Sequence, residues 1–391
     1  MQFSQNNPAF VFGMFETGLG ISRSLGRNGI QVNGFDYKKD IGSYSRYIKF
    51  SLCPNPIKDE GRFVEYVIDI AKSFEHKPVI FIAADDFLEV FSRNRLVLQK
   101  YLLMNLPEEE TLKLAFNKGL LYEKCGNLGI DCPKTYTESA NFIFPLIIKA
   151  KNVNAWRNKF SGNDKVIIVN NHNELEKHRK ILDELNIGYV LQEIVPGNDD
   201  RFFKYNTYIG KDGEILAEFM LQKLRQNPVR YGVGSLVKSI YDEEIRDIGR
   251  TVFELIEYKG VGSAEFKYDE RDNKYKLIEI NSRYWQQNIL PTKCGVNFPL
   301  IEYLYLSNSR SLMSYSNYDK GVKWINMYMD FTSFLYYRKE GKMELMDWVD
   351  DIKGEKVFSD FAGDDLIPGF YELFLSNKLK RLPKYFKKNI N

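Results

Sequence analysis

Apolar runs, glycine turns and helically periodic segments follow one another in the first part of the chain. An apolar run at 8–13 leads through a glycine-containing turn into a helical pattern, and a second apolar run occupies 30–36. A helical pattern at 62–74 precedes another apolar run at 78–83. Strand, turn, helix and strand in this order are typical of a doubly wound unit. The pattern therefore predicts a small α/β domain at the N-terminus.

The middle of the chain changes to alternating segments joined by polar turns. Strands are predicted at 202–209 and 215–220 around a short glycine-containing turn, and at 264–268 and 275–280 around a charge-dense one. Such pairs predict antiparallel hairpins. We therefore expect a region of α+β character after the N-terminal domain.

Three oxygen-bearing side chains come together in the second of these hairpins. Glu265 lies near the base of one strand, and Glu279 and Asn281 lie two apart on the other, so the latter two share a face. Oxygen ligands without His or Cys suit a hard cation, and Mg²⁺ is usually held by one or two carboxylates plus substrate phosphates. The hairpin therefore predicts a Mg²⁺ site, with Mn²⁺ as a second choice. A solvated sheet face is the alternative explanation of this pattern alone.

Two lysines border a polar loop that follows a buried strand. Lys149 is near the end of the apolar strand predicted at 144–150, and Lys165 begins the next strand. An ammonium at the end of a buried strand can contact a phosphate, and two lysines flanking a loop suit a lid over a triphosphate. The loop 151–164 contains a single glycine, Gly162, so its closure as a lid is left open.

Two further segments are candidates for substrate contact. Glu16 and Thr17 begin a predicted helix within a turn whose glycines, at 13, 18 and 20, do not fit the spacing of the dinucleotide fingerprint. This favours an acidic or amino-acid substrate at the helix N-terminus over NAD. The alternative is that Glu16 only favours the helix dipole. Lys223 and Arg225 are two apart on an extended segment and are expected to point the same way, toward an anionic substrate; ordinary solvation is their alternative.

Composition places the chain among folded proteins with no global attraction to nucleic acid. Of 391 residues 44% are hydrophobic, and 55 basic against 52 acidic residues give a net charge of +3. Four scattered cysteines contain no Cys-x-x-Cys pair, which argues against zinc and disulfides. The start lacks a basic signal-peptide region, and no apolar run reaches the roughly 18 residues of a spanning helix. We expect a cytoplasmic protein.

The basic tail is the local exception to this charge balance. Between 378 and 388 six lysine and arginine side chains alternate with apolar ones. Weak peripheral contact with anionic lipid or a polyanionic partner is one interpretation, and a solvated face is the other.

The order of these motifs resembles that of the ATP-grasp superfamily, in its carboxylate-amine ligase branch, which includes D-aspartate ligases. The resemblance covers roughly 8–310 and is carried by 117–136, by the strand and turn at 189–200, by 222–235, and by Glu265 with Glu279-Ile-Asn281-Ser-Arg283. It implies an α/β (α+β) architecture in three parts. These are a Rossmann-like pre-ATP-grasp domain at 1–107, an ATP-grasp domain at 108–310 with a lid subdomain at about 137–197, and a C-terminal extension of unassigned role at 311–391.

The resemblance also implies a site for ATP. The backbone between Gln192 and Val195, with Glu193, would read the adenine, and Asp199 would bind the ribose, with Asp200 as second choice. Lys149 and Lys165 would contact phosphates beside Mg²⁺. The resemblance further implies substrate and catalytic roles for Arg283, Arg225, Lys223 and Ser235.

The implied reaction joins a carboxylate and an amine at the expense of ATP. The carboxylate would attack the γ-phosphate to give an acylphosphate, and an amine would then displace phosphate to form an amide. The expected substrates are small amino acids or peptides, without nucleic acid, and both a monomer and a homodimer stay open. The rival hypothesis from another class is a nucleotide-binding regulatory or scaffold protein that has kept the fold and lost catalysis.

Overall fold

A computed structural model describes residues 6–136, 141–151, 166–308 and 317–375 of the chain. Its strands form three sheets, two with four strands and one with seven. The architecture is mixed α/β, as the sequence predicts.

The N-terminal sheet is parallel, with strand order β3-β2-β1-β4. Strands β1 and β4 are apolar and buried throughout, because helices cover both faces of the sheet. The elements are β1 (Ala9–Phe12), α1 (Glu16–Gly26), β2 (Val32–Asp36), β3 (Ile48–Leu52), α2 (Glu60–Lys72), β4 (Val79–Ile82), α3 (Asp85–Arg93) and α4 (Arg95–Leu98).

The turn after β1 requires glycine at two positions. Gly13 has φ +95°, in the left-handed region, and a Cβ at Gly18 would lie 2.0 Å from the Gly13 carbonyl oxygen. The turn is fixed to β2 by the Met14 N–H, which donates to the Asp36 carboxylate at 2.7 Å. Helix α1 therefore starts close to the carboxyl-terminal ends of β1 and β2.

A smaller antiparallel sheet follows, in the order β5-β8-β6-β7. Strand β6 lies between β7 and β8 and is buried along its length, which places Lys149 against the sheet interior. The elements of this part are α5 (Glu109–Phe116), α6 (Lys118–Asn127), β5 (Thr135–Tyr136), β6 (Leu146–Ala150), β7 (Val166–Val169), α7 (His172–Glu184) and β8 (Tyr189–Glu193).

The seven-stranded sheet is the centre of the molecule, in the order β13-β12-β9-β10-β11-β14-β15. It is antiparallel except at β14 and β15. Its elements, with the helices between them, are β9 (Phe202–Ile209), β10 (Ile215–Asn227), β11 (Val233–Ile240), α8 (Glu243–Leu255), β12 (Gly260–Asp269), β13 (Lys274–Asn281), α9 (Ile289–Lys293), α10 (Phe298–Leu306), β14 (Lys323–Ile325), α11 (Met327–Lys339), α12 (Leu345–Asp351), β15 (Lys356–Phe358) and α13 (Ile367–Phe370).

The sequence also predicts a strand at 324–329, and the structure differs from this prediction. The strand ends at Ile325, and α11 begins at Met327. The Asn326 side chain accepts from the Met329 N–H at 3.0 Å, so this residue caps the helix and stops the strand. The chain thereby adds two strands to the central sheet and one long helix across it.

The last described segment contacts α1 and the residues between β2 and β3. Asp365 is buried and accepts from Arg23 Nε of α1 at 2.9 Å, from the Ser45 hydroxyl at 2.7 Å and from the Arg46 N–H at 2.9 Å. Its neighbour Asp364 makes a more exposed pair with Arg27 at 2.7 Å. The described helices include none that is both long and apolar enough to cross a membrane.

The buried pair of Arg23 and Asp365 gives a stability prediction. Asp365→Ala leaves a buried guanidinium without its carboxylate, so we expect the free energy of unfolding to fall by about 3 kcal/mol. Asp364→Ala, the matched change in the half-exposed neighbouring pair, should cost about 1 kcal/mol or less. Urea unfolding followed by circular dichroism measures both, and equal losses would contradict the assignment.

Candidate functional site

The two predicted carboxylate ligands face each other on neighbouring strands. In the pairing of β12 with β13, Glu265 is opposite Glu279, and Ser263 is opposite Asn281. Residues directly opposite each other project from the same face of a sheet. The Asn281 amide donates to Glu279 Oε1 at 3.1 Å, so the three predicted oxygen ligands lie together.

Three lysines from different elements surround this acidic pair. Lys204 Nζ of β9 lies 3.2 Å from Glu265 Oε2, and Lys223 Nζ of β10 lies 2.8 Å from Glu265 Oε1. Lys118 Nζ, at the start of α6, lies 3.4 Å from Glu279 Oε2. Their positive charge balances the carboxylates and would also attract phosphate oxygens.

The donor set fits a hard divalent cation bound together with phosphates. Among the residues that the structure describes, no three His, Cys, Asp or Glu side chains form a metal cluster. Two carboxylates and one amide are the oxygen donors here, and Mg²⁺ commonly completes such a partial set with phosphates and water. The arrangement is therefore suited to a metal ion that binds together with phosphate groups.

Lys149 of β6 is buried beside the same group of charges. Burial and the nearby charge of Lys118 lower the pKa of its ammonium to about 7, although the carboxylates of Glu279 and Glu265 oppose the shift. Its Nζ lies 6.0 Å from the centre of the Tyr122 ring. The charges of Glu279 and Glu265 therefore act on the predicted phosphate-binding lysine, whereas Lys165 and most of the loop 151–164 lie outside the described residues.

Sequence reasoning missed Lys118, Lys204 and Lys267 as members of this site. Lys267 Nζ donates to the Val195 carbonyl at 2.8 Å, and burial lowers its pKa to about 8. Lys204 is the register partner of Glu265 across β9 and β12, a pairing that no local pattern reveals. The spacing of Lys267 two residues after Glu265 was the one available signal.

The segment predicted to read adenine makes several bonds within the chain. Gln192 is fully buried and donates to the Thr135 hydroxyl at 3.1 Å. The Glu193 N–H donates to the Lys134 carbonyl at 2.9 Å, and the Val195 carbonyl accepts from Lys267. Adenine readout by this segment stays a prediction.

Asp199, the predicted ribose ligand, is engaged at both oxygens. It accepts from the Gln226 side chain and N–H, from the Arg230 N–H, and from the Tyr337 hydroxyl, all between 2.6 and 3.0 Å. Asp200, the second choice, has a buried Oδ1 with no hydrogen-bond partner. The free acceptor at this turn therefore belongs to Asp200.

Arg225 and Ser235 lie in a separate buried cluster with the C-terminal segment. Arg225 contacts Asp330 at 2.8 and 2.9 Å and also pairs with Asp351, and the Ser235 hydroxyl donates to Asp330 at 3.0 Å. The register of β10 shifts on both sides of Arg225. Lys223 contacts Glu265, whereas Arg225 contacts Asp330. The contacts in this structure are those of packing, and the substrate and catalytic roles of both residues stay predictions.

Arg283 and the start of α1 connect the site to the N-terminal domain. Arg283 makes two contacts with the Asp85 carboxylate, at 2.6 and 3.2 Å. Thr17 is fully buried, its hydroxyl has no hydrogen-bond partner, and its carbonyl accepts from Asn288 at 3.0 Å. Glu16 opens the helix, as predicted.

Comparison with known proteins identifies the fold. No family model matches the chain. A D-aspartate ligase of Enterococcus faecium (strain Aus0004) is 26% identical over 335 residues, which are 76% of this chain and 76% of that protein.

Two solved structures have a fold similar to that of this chain. An L-amino acid ligase from Bacillus licheniformis matches with a TM-score of 0.59 at 15% identity, over 78% of this chain and 75% of that one. The biotin carboxylase domain dimer of the Hydrogenobacter thermophilus 2-oxoglutarate carboxylase, solved with MgADP, ADP and bicarbonate, matches with a TM-score of 0.60 at 16% identity, over 83% and 74%.

The fold is that of ATP-grasp proteins, as the sequence predicts. The chain is similar to a D-aspartate ligase, and the solved structures that share its fold include an L-amino acid ligase. The predicted cofactors, ATP and Mg²⁺, agree with the MgADP and ADP that the Hydrogenobacter thermophilus structure contains.

The lowered pKa of Lys149 predicts proton uptake on nucleotide binding. At pH 8 the free amine is largely neutral, and an adjacent phosphate raises its pKa, so binding takes up a proton and weakens as pH rises above about 7. Titration calorimetry of MgADP in buffers with different ionisation enthalpies measures this uptake, which Lys149→Met should remove. Equal proton uptake in both proteins would contradict the prediction.

Proposed function

We propose that this protein is an ATP-dependent carboxylate-amine ligase that forms an amide through an acylphosphate. The observation that carries the proposal is the facing pair Glu265 and Glu279, with Asn281 beside them and lysines around them. This arrangement can hold a divalent cation and a triphosphate next to an activated carboxylate.

The residues divide into metal, nucleotide and substrate groups. Glu265, Glu279 and Asn281 would hold Mg²⁺, which neutralises phosphate charge when it is bound. Lysine ammonium groups would bind the phosphates, and the backbone from Gln192 to Val195 would bind the adenine. The turn at Asp199 and Asp200 would bind the ribose, with a carboxylate oxygen of Asp200 as the acceptor. The proposed phosphate-binding lysines are Lys118, Lys149 and Lys165.

The substrate carboxylate needs cations, because it must approach a triphosphate of the same sign. Arg283, held by Asp85 at the start of α3, would orient this carboxylate, and Lys223, which contacts Glu265, would supply a second positive charge. A carboxylate oxygen attacks the γ-phosphorus and ADP leaves. The amine then attacks the acyl carbon, phosphate leaves, and the nitrogen loses a proton.

The proposed substrates are small amino acids or peptides. The similarity to a D-aspartate ligase supports an amino acid as one partner. Glu16 and Thr17, at the N-terminus of α1, are the proposed contacts in the N-terminal domain. The inactive scaffold is the weaker alternative, because the two carboxylates, Asn281 and the lysines are all present.

Location, assembly and peripheral contacts form the outer part of the proposal. Free thiols at all four cysteines support a cytoplasmic location, and the domain dimer described for one structural neighbour supports a homodimer. Exposed apolar side chains precede the basic tail, with Ile367 59%, Phe370 50% and Phe374 66% exposed. Together with the six basic residues that follow, they support weak contact with an anionic lipid surface.

Removal of one proposed metal ligand tests the function. Glu279→Gln keeps the shape of the side chain but removes a charge from the metal site, so we expect amide formation to fall by at least ~100-fold with the fold intact. Glu270→Gln, on the exposed turn of the same hairpin, is the matched control and should behave as wild type. The assay is phosphate release from MgATP with a panel of acids and amines.

The panel also separates the two functions. A ligase releases phosphate only with a particular acid and amine together, whereas an inactive scaffold binds MgATP without turnover. Retained activity in Glu279→Gln would overturn the metal assignment.

A further inference from the structure

We infer that Tyr337, on helix α11 of the C-terminal segment, is a positioning residue for Lys223 and Glu265. The inference rests on the proposed function and assigns a role in it to the part of the chain that the sequence left without one. The connection is a continuous line of hydrogen bonds from the helix to the proposed metal site.

The line of bonds passes through two intermediate side chains. The Tyr337 hydroxyl donates to Asp199 Oδ2 at 2.6 Å, and Gln226 Nε2 donates to Asp199 Oδ1 at 2.9 Å. Lys223 Nζ donates to Gln226 Oε1 at 3.0 Å and to Glu265 Oε1 at 2.8 Å. Each donor meets an acceptor, so the orientation of the Gln226 amide is fixed from both ends.

The inner members of this line are shielded from water. Exposure is 2% at Asp199, 1% at Gln226, 2% at Lys223 and 5% at Glu265. Water therefore has little access to replace a missing bond, and loss of one link is transmitted to the next. Lys223 is shared between Gln226 and Glu265, so the position of Gln226 helps to decide how the ammonium sits on the metal-binding carboxylate.

Other contacts hold α11 in place independently of the Tyr337 hydroxyl. The Ser333 hydroxyl donates to the Gln226 carbonyl at 2.7 Å, and the Asn227 amide donates to the Met329 carbonyl at 3.0 Å. Asp199 also accepts from the Gln226 and Arg230 backbone. Removal of the hydroxyl alone should therefore loosen the line of bonds without displacing the helix.

Tyr337→Phe tests the inference, with Tyr336→Phe as the matched control. Tyr336 is the preceding residue on the same helix, its ring lies against the Arg230 guanidinium, and its hydroxyl interacts with Glu340, which is not a member of the line of bonds. We expect Tyr337→Phe to lower kcat by ~10-fold and to raise the Mg²⁺ concentration for half-maximal activity, with KM for the amine unchanged. Tyr336→Phe should match wild type in all three.

A readout without turnover accompanies the kinetics. MgADP should raise the melting temperature of Tyr337→Phe less than it raises that of wild type, each shift being measured from the ligand-free melting temperature of the same protein. In a Gln226→Met background, where the line is already cut, Tyr337→Phe should change kcat by less than about 2-fold.

The outcomes are separable from those of the proposed function. Equal effects of the two Tyr variants, or a full ~10-fold loss on top of Gln226→Met, would overturn the inference. If wild type forms no amide with any acid and amine, the proposed function fails, and the Mg²⁺ dependence of the ADP-induced melting shifts in the two Tyr variants still decides whether Tyr337 acts on the metal site.

Discussion

The facing carboxylates of Glu265 and Glu279 are the constraint on which the rest of the site depends. Two like charges opposite each other on neighbouring strands repel, and partial burial increases the cost. Cations must therefore stand beside them, and the chain supplies Lys118, Lys204 and Lys223. A bound divalent ion would reduce this repulsion further. The pair of carboxylates that requires neighbouring lysines in the free protein would therefore favour binding of a metal ion together with phosphate groups.

The lysines that offset the two carboxylate charges come from different helices and strands. Lys118 begins a helix, Lys149 lies on the small sheet, and Lys204 and Lys223 lie on two strands of the central sheet. Arg283 joins the site to the N-terminal domain through Asp85. The site thus exists only when the three sheets are assembled, and the C-terminal segment adds support through the central sheet and α11.

Local patterns could predict the parts of the site that lie within one hairpin. Alternation was enough to place Glu279 beside Asn281, and polar turns were enough to pair β12 with β13. The partnership of Lys204 with Glu265 depends on register between strands far apart in sequence, which local periodicity does not encode. The prediction of a strand at 324–329 was wrong because Asn326 caps a helix in the middle of an otherwise apolar run. The helix that follows is rich in aromatic residues and shows no clear amphipathic period, so its sequence pattern did not indicate a helix.

The central claim is that this site activates a carboxylate on a phosphate, and isotope transfer tests it most directly. The acid substrate is labelled in its carboxylate with a heavy oxygen isotope, and the phosphate released during amide formation is analysed by mass spectrometry. Passage through an acylphosphate predicts one labelled oxygen in each phosphate formed. Unlabelled phosphate alongside amide product would contradict the account.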